Sequence, residues 1–281
     1  METRAGNGEG QPGGSPKIIT IVRSPLERSW SSYKYNYQKP LIADLRKKDE
    51  LENKHFSDEY YKNEYVFEFE DMVAAELKQL KKCLTPGGPG EQGARHLYET
   101  TDWAQAAFKR TEAEGRPPLV TLDISWYGDE VSKDVPRRQW QDLVERYPNK
   151  VINVQNLHTV QSLVGRSLYT LPVEWWYALY RKEDLYLFCN EDLRYRTADS
   201  MSDVSDFLGL PSFDFNDVVN AGLYNVGDHT GYNTITTWNS TSTAPSSDGI
   251  PISDELRKEY MDFVKPYNER LFELAGKRCN W

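Results

Sequence analysis

The chain has 281 residues, a length that permits one substantial hydrophobic core, so we expect one domain with long excursions. It carries 34 basic and 43 acidic residues, and this net charge of −9 disfavours a general nucleic-acid or anionic-membrane surface, since both need a basic field. No apolar run approaches the roughly 18 residues that cross a bilayer, so no membrane segment is predicted.

The chain opens with a tail and a strand. Residues 1–16 are rich in glycine and poor in apolar side chains, which predicts a flexible tail before a domain spanning 17–281. Residues 18–22 read IITIV, a short β-branched run typical of a strand buried in a parallel sheet.

A helix is predicted directly after this strand. Ser24 is a candidate N-cap, and Pro25 suits the first turn of a helix. Apolar side chains then recur at spacings of four, three and four residues, which predicts a buried stripe on the helix. The stripe consists of Leu26, Trp30, Tyr33 and Tyr37.

The middle third of the chain, residues 41–165, is predicted to be a divergent insertion or a substrate-facing region. It is highly charged and is interrupted by a run of proline and glycine after residue 84. The periodicity predicts helices over 66–84, 97–114 and 135–147 and a strand over 119–122.

The last third alternates helix and strand. We expect a helix through Trp175 and Trp176, a strand over 185–189, and a helix that ends at the FLGLP run of 207–211. A final helix is predicted over 254–275, with a kink at Pro266 and with one apolar face made of Leu256, Tyr260, Phe263, Tyr267, Leu271 and Leu274. This rhythm indicates an α/β fold with a parallel sheet flanked by helices.

The clearest candidate for chemistry is Arg23, which follows the predicted strand and precedes the helix. Ligands of open α/β sheets bind beyond the carboxyl ends of the strands, and a guanidinium matches phosphate oxygens. Ser31 on the same helix adds a hydroxyl donor, and Arg28 a second charge. The alternative is a solvated or ion-paired arginine, which is common at strand ends.

Three segments in order carry a resemblance to a family. Residues 19–33, reading ITIVRSPLERSWSSY, resemble the 3′-phosphate-binding segment of sulfotransferases that use 3′-phosphoadenosine 5′-phosphosulfate (PAPS). The strand, EDL turn and FLGL helix end within 185–211 are similar to the same family. Residues 263–271 resemble the closing helix of Golgi-type carbohydrate O-sulfotransferases, the heparan- and chondroitin-like branch.

The resemblance implies a sulfotransferase-like, P-loop-type parallel sheet and a sulfuryl transfer from PAPS, as co-substrate and without a metal, to a carbohydrate hydroxyl. It implies that Arg23 and Ser31 bind the donor's 3′-phosphate. It also implies that Glu191 and Asp192 cap or bond backbone beside the donor site. The compartment it implies is the Golgi lumen if the full-length protein is anchored; otherwise we expect the cytoplasm.

One family element is not recognised. The strand, lysine-containing loop and helix that hold the 5′-phosphosulfate precede the 3′-phosphate segment in the family, whereas here residues 1–16 precede it. We therefore expect the first strand-loop-helix to be missing. No catalytic base is assigned, although His96, His158 and His229 are candidates.

The alternative function is a catalytically inactive, sulfotransferase-like protein that binds nucleotide or glycan. A nucleotide kinase is disfavoured because no Gly-x-x-x-x-Gly-Lys-Ser/Thr loop occurs.

The cysteines do not decide the compartment. Cys83, Cys189 and Cys279 are too few and too scattered for a disulfide framework or a cysteine-based zinc site.

Overall fold

The computed structural model describes residues 16–84, 141–151, 163–221 and 249–281, with positions 109 and 113 between them. Its strands are β1 (Ile18–Val22) and β2 (Leu185–Cys189). Its α-helices are α1 (Pro25–Ser32), α2 (Lys39–Leu51), α3 (Asp58–Tyr65), α4 (Phe69–Cys83), α5 (Gln141–Arg146), α6 (Thr170–Leu179), α7 (Asn190–Tyr195), α8 (Thr197–Leu208), α9 (Asn216–Ala221) and α10 (Asp254–Ala275). A π-helical stretch, Tyr33–Gln38, joins α1 to α2, and 3₁₀ turns cover Gly165–Ser167 and Lys182–Asp184.

The two described strands pair in parallel. The register sets Ile18 opposite Leu185 and Val22 opposite Cys189, so both strands end at the same edge. The strands predicted at 18–22 and 185–189 are confirmed, and the mixed helix-and-strand architecture is compatible with the predicted α/β class. The prediction that β1 is buried on both faces is wrong, because Ile19 and Ile21 are 37% and 57% exposed. Successive side chains point to opposite faces, and the described helices cover one face of β1.

The helix predicted after β1 is confirmed. Pro25 lies in its first turn, and Leu26, Tyr33 and Tyr37 are each at most 3% exposed, so the stripe faces the core through the π-helical stretch. The capping role predicted for the Ser24 side chain is wrong: Ser24 stands at the N-cap, but its hydroxyl makes no capping hydrogen bond. Its backbone N–H instead donates to the Glu191 carboxylate, which ties the start of α1 to the end of β2.

The larger core lies between the first four helices and α10. Met72, Val73 and Leu77 of α4 are almost fully buried and belong to the same apolar cluster as Tyr260 and Val264 of α10. Burying each such side chain contributes about 1.5 to 3 kcal/mol relative to exposure. This cluster is what holds α1, and therefore the exit of β1, in position.

Helix α10 has the predicted bounds. Its first turn is capped by the Ser253 hydroxyl, which accepts a hydrogen bond from the Leu256 N–H, and it ends at Gly276 with φ of 67°, a conformation that favours glycine. Of the predicted apolar face, Leu256, Tyr260, Leu271 and Leu274 are buried. Val264 and Asn268 are buried, while Phe263 and Tyr267 are only partly buried.

A smaller core surrounds the ends of the strands. Val22, Leu187 and Leu271 are buried in it, and a disulfide joins Cys189 at the end of β2 to Cys279, with a Cα–Cα distance of 5.6 Å. The sequence excluded a framework of several disulfides but did not indicate this single bond. The disulfide fastens the segment after α10 to the carboxyl end of the sheet.

Several predictions lie outside the described residues. They concern the tail up to residue 15, most of the helix at 97–114, the strand at 119–122, and the histidines at 96, 158 and 229. Of the helix predicted at 135–147, the structure describes Gln141–Arg146. Within the described part of the chain, no helix combines the length and apolarity needed to traverse a bilayer.

Candidate functional site

The exits of the two parallel strands form the candidate site. The Ser24 N–H donates to Glu191 Oε1 at 3.0 Å, which links the second residue after β1 to the second residue after β2. The Tyr169 hydroxyl donates to the carbonyl of Arg23 at 3.0 Å, and burial raises the pKa of Tyr169 to about 12. The backbone that carries Arg23 is therefore fixed by contacts from α7 and from the residue that precedes α6.

Arg23 lies at this edge and is paired with a carboxylate. Its Nε and Nη2 atoms donate to Glu27 Oε2 at 3.1 and 2.9 Å, and its side chain stays 34% exposed. The same Glu27 oxygen lies 3.9 Å from Nη1 of Arg194, on α7 after β2. Arg23 is thus ion-paired, and a solvent-borne anion can still approach it.

Ser31 lies on the flank of α1 that carries Glu27. Arg23, Glu27 and Ser31 follow one another at four-residue intervals, a spacing that keeps helical side chains on one side. Ser31 is half-buried, and within the described residues its hydroxyl makes no hydrogen bond. The structure therefore leaves this hydroxyl available to a ligand on the Arg23 side of the helix.

Arg28 is tied to a different part of the fold. Its Nη1 donates to the Leu163 carbonyl at 3.0 Å. Burial lowers the pKa of Arg28, and the charge of Arg166 lowers it further. These contacts give Arg28 a role in holding α1 against the segment that begins at Leu163.

That segment is anchored by a buried carboxylate. Glu76 accepts hydrogen bonds from the N–H groups of Leu163, Val164 and Gly165 at 2.8, 3.0 and 3.0 Å. Burial raises the pKa of Glu76 to about 7, against the opposing effect of these three bonds and of Arg28. Successive backbone N–H groups form an anion-binding concavity, and here a side chain of the chain itself fills it.

A buried hydroxyl cluster joins the same segment to α10. The Ser29 hydroxyl contacts the Tyr260 hydroxyl at 2.9 Å and the Ser167 hydroxyl at 3.3 Å. Ser167 also donates to the Pro25 carbonyl at 3.1 Å. The Ser29 hydroxyl, next to Arg28 in the chain, is therefore used in structural contacts, whereas Ser31 lies on the opposite flank of α1.

Two buried polar atoms beside the strand exits lack partners among the described residues: Glu191 Oε2 and the Tyr195 hydroxyl. Burial raises the pKa values of both residues. The prediction that Glu191 bonds backbone is confirmed by its contact with Ser24, while Asp192 pairs with Lys277 at 3.1 Å. An unpaired buried polar group costs about 1 to 3 kcal/mol. A ligand that supplies hydrogen-bond partners to these two atoms would therefore be bound favourably.

A cavity lies elsewhere, between α6 and the second half of α10. It encloses about 960 Å³ and includes neither Arg23 nor Ser31. Its basic side chains are engaged with carboxylates: Arg270 with Glu174, Lys277 with Asp192, and Arg278 with Glu269. The strand exits, rather than this cavity, carry the chemistry that the sequence predicts.

Glu27, Arg194 and Tyr195 were not predicted as parts of the site. The four-residue spacing of Arg23 and Glu27 is a signal that identifies the first pair. Arg194 and Tyr195 meet α1 only through the pairing of β1 with β2, which a sequence pattern does not specify.

Comparison of the chain with protein-family models, with curated proteins and with solved structures finds no match. The geometry at the carboxyl ends of β1 and β2 is therefore what a functional assignment has to explain.

Proposed function

We propose that this chain is a PAPS-dependent sulfotransferase that transfers a sulfuryl group to a hydroxyl of a carbohydrate acceptor, and that Arg23 and Ser31 bind the 3′-phosphate of the donor. The observation that carries the proposal is the position of Arg23 at the common carboxyl edge of two parallel strands. Ser31 follows on the same side of α1, with a hydroxyl that no described residue engages.

The donor set suits a phosphate monoester. A guanidinium offers a planar fork of donors to phosphate oxygens, and a hydroxyl adds a neutral donor. The exposed fraction of Arg23, 34%, gives a ligand access. Arg28 holds α1 to the Leu163 carbonyl and so supports the site from behind.

PAPS supplies the activated sulfuryl group when it is bound, and adenosine 3′,5′-bisphosphate is the product that remains. Arg23 and Ser31 hold the end of the nucleotide remote from the reacting sulfur. Such remote binding energy contributes to orientation of the reacting atoms.

The fold and the disulfide give further support. Parallel strands that end beside a helix start are compatible with a sulfotransferase-like, P-loop-type sheet, which we propose for the whole domain. Disulfides persist in oxidising compartments, so the Cys189–Cys279 bond supports the Golgi lumen over the cytoplasm. A carbohydrate acceptor fits that compartment.

Calorimetric titration with adenosine 3′,5′-bisphosphate tests the proposal. We expect micromolar binding to the wild-type protein, about −8 kcal/mol, and an affinity lowered by about tenfold to 150-fold in Arg23→Ala. Arg46→Ala is the matched control, since Arg46 on α2 also pairs with a carboxylate, that of Asp58, at the surface. Its affinity should equal that of the wild type.

Two results would contradict the proposal. Absence of nucleotide binding by folded wild-type protein would show that the proposed donor site does not exist. Equal affinity of Arg23→Ala and wild type would show that Arg23 does not belong to the donor site. Nucleotide binding without sulfuryl transfer to any carbohydrate acceptor would instead favour an inactive, sulfotransferase-like binding protein.

A further inference from the structure

One carboxylate oxygen faces two arginines at the strand exits. Glu27 Oε2 lies 2.9 Å from Nη2 of Arg23 and 3.9 Å from Nη1 of Arg194. The two arginines come from different elements, one after β1 and one on α7 after β2. They converge because β1 and β2 are adjacent and parallel.

The second contact is much weaker than the first. A separation of 3.9 Å exceeds hydrogen-bond distance, so Arg194 and Glu27 attract each other without a directed bond. Over the part of the chain that the structure describes, Arg194 makes no hydrogen bond, and its side chain is 36% exposed. Its fork of donors is therefore available.

Among the described residues, one carboxylate pairs with both guanidinium groups, and Glu191 is a second acidic side chain nearby. Glu27 provides one negative charge for two guanidinium groups, and both contacts use the same oxygen. A phosphate monoester carries about −1.5 to −2 at neutral pH and presents three acceptor oxygens. Such a group satisfies two guanidinium forks better than one carboxylate oxygen does.

The neighbouring polar atoms also lack partners. The Tyr195 hydroxyl is buried without a described partner, and its titration is influenced by Arg194, Glu27 and Glu191, which places all four groups in one neighbourhood. The hydroxyl is a neutral donor for a phosphate oxygen. Glu191 is the acidic neighbour, and its unpartnered Oε2 suits a hydroxyl or amino group of a ligand rather than its phosphate.

From this geometry we infer that Arg194 is a second arginine of the phosphate site, and that Glu27 holds the place of the 3′-phosphate until nucleotide displaces it. The inference rests on the proposed function, which assigns that phosphate to Arg23. Binding then exchanges the Arg23 pairing with Glu27 for pairing with phosphate, and the freed carboxylate turns toward solvent.

The test compares substitutions at the two residues by calorimetric titration with adenosine 3′,5′-bisphosphate. Arg194→Ala should bind about tenfold more weakly than wild type, and Arg194→Lys should fall between them, because lysine keeps the charge without the fork. Glu27→Gln should bind about three- to tenfold more tightly, because it removes a resident competitor for Arg23.

Matched controls come from a neighbouring exposed ion pair, Arg196 with Asp199 at 3.5 Å. Arg196→Ala and Asp199→Asn change net charge by the same amounts as the test variants. Both controls should bind the nucleotide as the wild type does, and thermal unfolding of every variant verifies that it is folded.

The outcomes separate this inference from the proposed function. If Arg23→Ala loses binding while folded Arg194 variants and Glu27→Gln keep wild-type affinity, the proposed function stands and the inference is wrong. If Glu27→Gln binds more weakly than wild type, Glu27 orders Arg23 rather than competing for it, and the inference is wrong. If neither wild type nor Glu27→Gln binds, both fail.

Discussion

Cys189, the last residue of β2, is disulfide-bonded to Cys279, which follows 90 residues later in the chain. The bond encloses α7, α8, α9 and α10 in one covalent loop and anchors the chain after α10 at the site edge of the sheet. Both sulfur-bearing residues are buried, at 1% and 5% exposure.

Removing this bond should destabilise the protein without abolishing the fold of the larger core. Cys189→Ser combined with Cys279→Ser should lower the free energy of unfolding by about 2 to 4 kcal/mol, since the crosslink restricts the unfolded chain. Urea unfolding measures the change.

Reductant provides the control. A thiol reductant should destabilise the wild type and Cys83→Ser to the same extent and leave the double serine variant unchanged. An effect of reductant on the double variant would show that the destabilisation has another source.

Glu76 should make stability fall as pH rises through the weakly acidic range. Its pKa is about 7 when folded and near 4.5 when unfolded, so between these values the native state binds a proton that the unfolded state lacks. This stabilising contribution is complete below pH 4.5 and is lost above pH 7. Its size is about 3 kcal/mol.

The comparison with Glu76→Gln isolates this effect, because the amide does not titrate. From pH 5 to pH 8 the stability of the wild type should fall relative to that of Glu76→Gln in urea unfolding. Glu59→Gln, at an exposed position on α3, should show the wild-type pH profile. A pH-independent difference between wild type and Glu76→Gln would mean that Glu76 stays ionised when folded.

Substitutions of two serines on α1 should distinguish a structural role from a role in nucleotide binding. Ser29→Ala removes the hydroxyl that joins Tyr260 and Ser167, and it should lower stability by about 1 to 2 kcal/mol. Ser31→Ala should change stability by less than about 0.5 kcal/mol, yet weaken nucleotide affinity about three- to tenfold. Thermal unfolding and calorimetric titration of both variants measure these effects. The reverse pattern would contradict the assignment of Ser31 to the ligand side.

Arg28→Ala should act on stability rather than on affinity. Loss of the bond to the Leu163 carbonyl should lower the free energy of unfolding by about 1 to 3 kcal/mol. Folded Arg28→Ala should bind adenosine 3′,5′-bisphosphate as the wild type does. A large loss of affinity in a fully folded Arg28→Ala variant would show that Arg28 contributes to the phosphate site.

Local patterns predicted the elements that carry the site. The β-branched run of β1, the proline at the start of α1 and the stripe along α1 each express a short-range preference, so their positions follow from neighbouring residues. The placement of Arg23 at a strand exit was predictable for the same reason.

The contacts that complete the site are long-range. Glu76 meets backbone 87 to 89 residues away, and Ser24 meets Glu191 over 167 residues. Such pairs depend on which elements become neighbours, and spacing along the chain does not encode that. For the same reason, the sequence analysis did not predict the position of Arg194 or the disulfide.

The most direct test of the central claim varies the ligand as well as the protein. Adenosine 3′,5′-bisphosphate and adenosine 5′-phosphate differ only in the 3′-phosphate, and calorimetry gives the affinity of each for wild type and Arg23→Ala. We expect the 3′-phosphate to strengthen wild-type binding by about tenfold or more and to strengthen binding by Arg23→Ala clearly less. An equal preference for the bisphosphate in both proteins would show that Arg23 does not bind the 3′-phosphate.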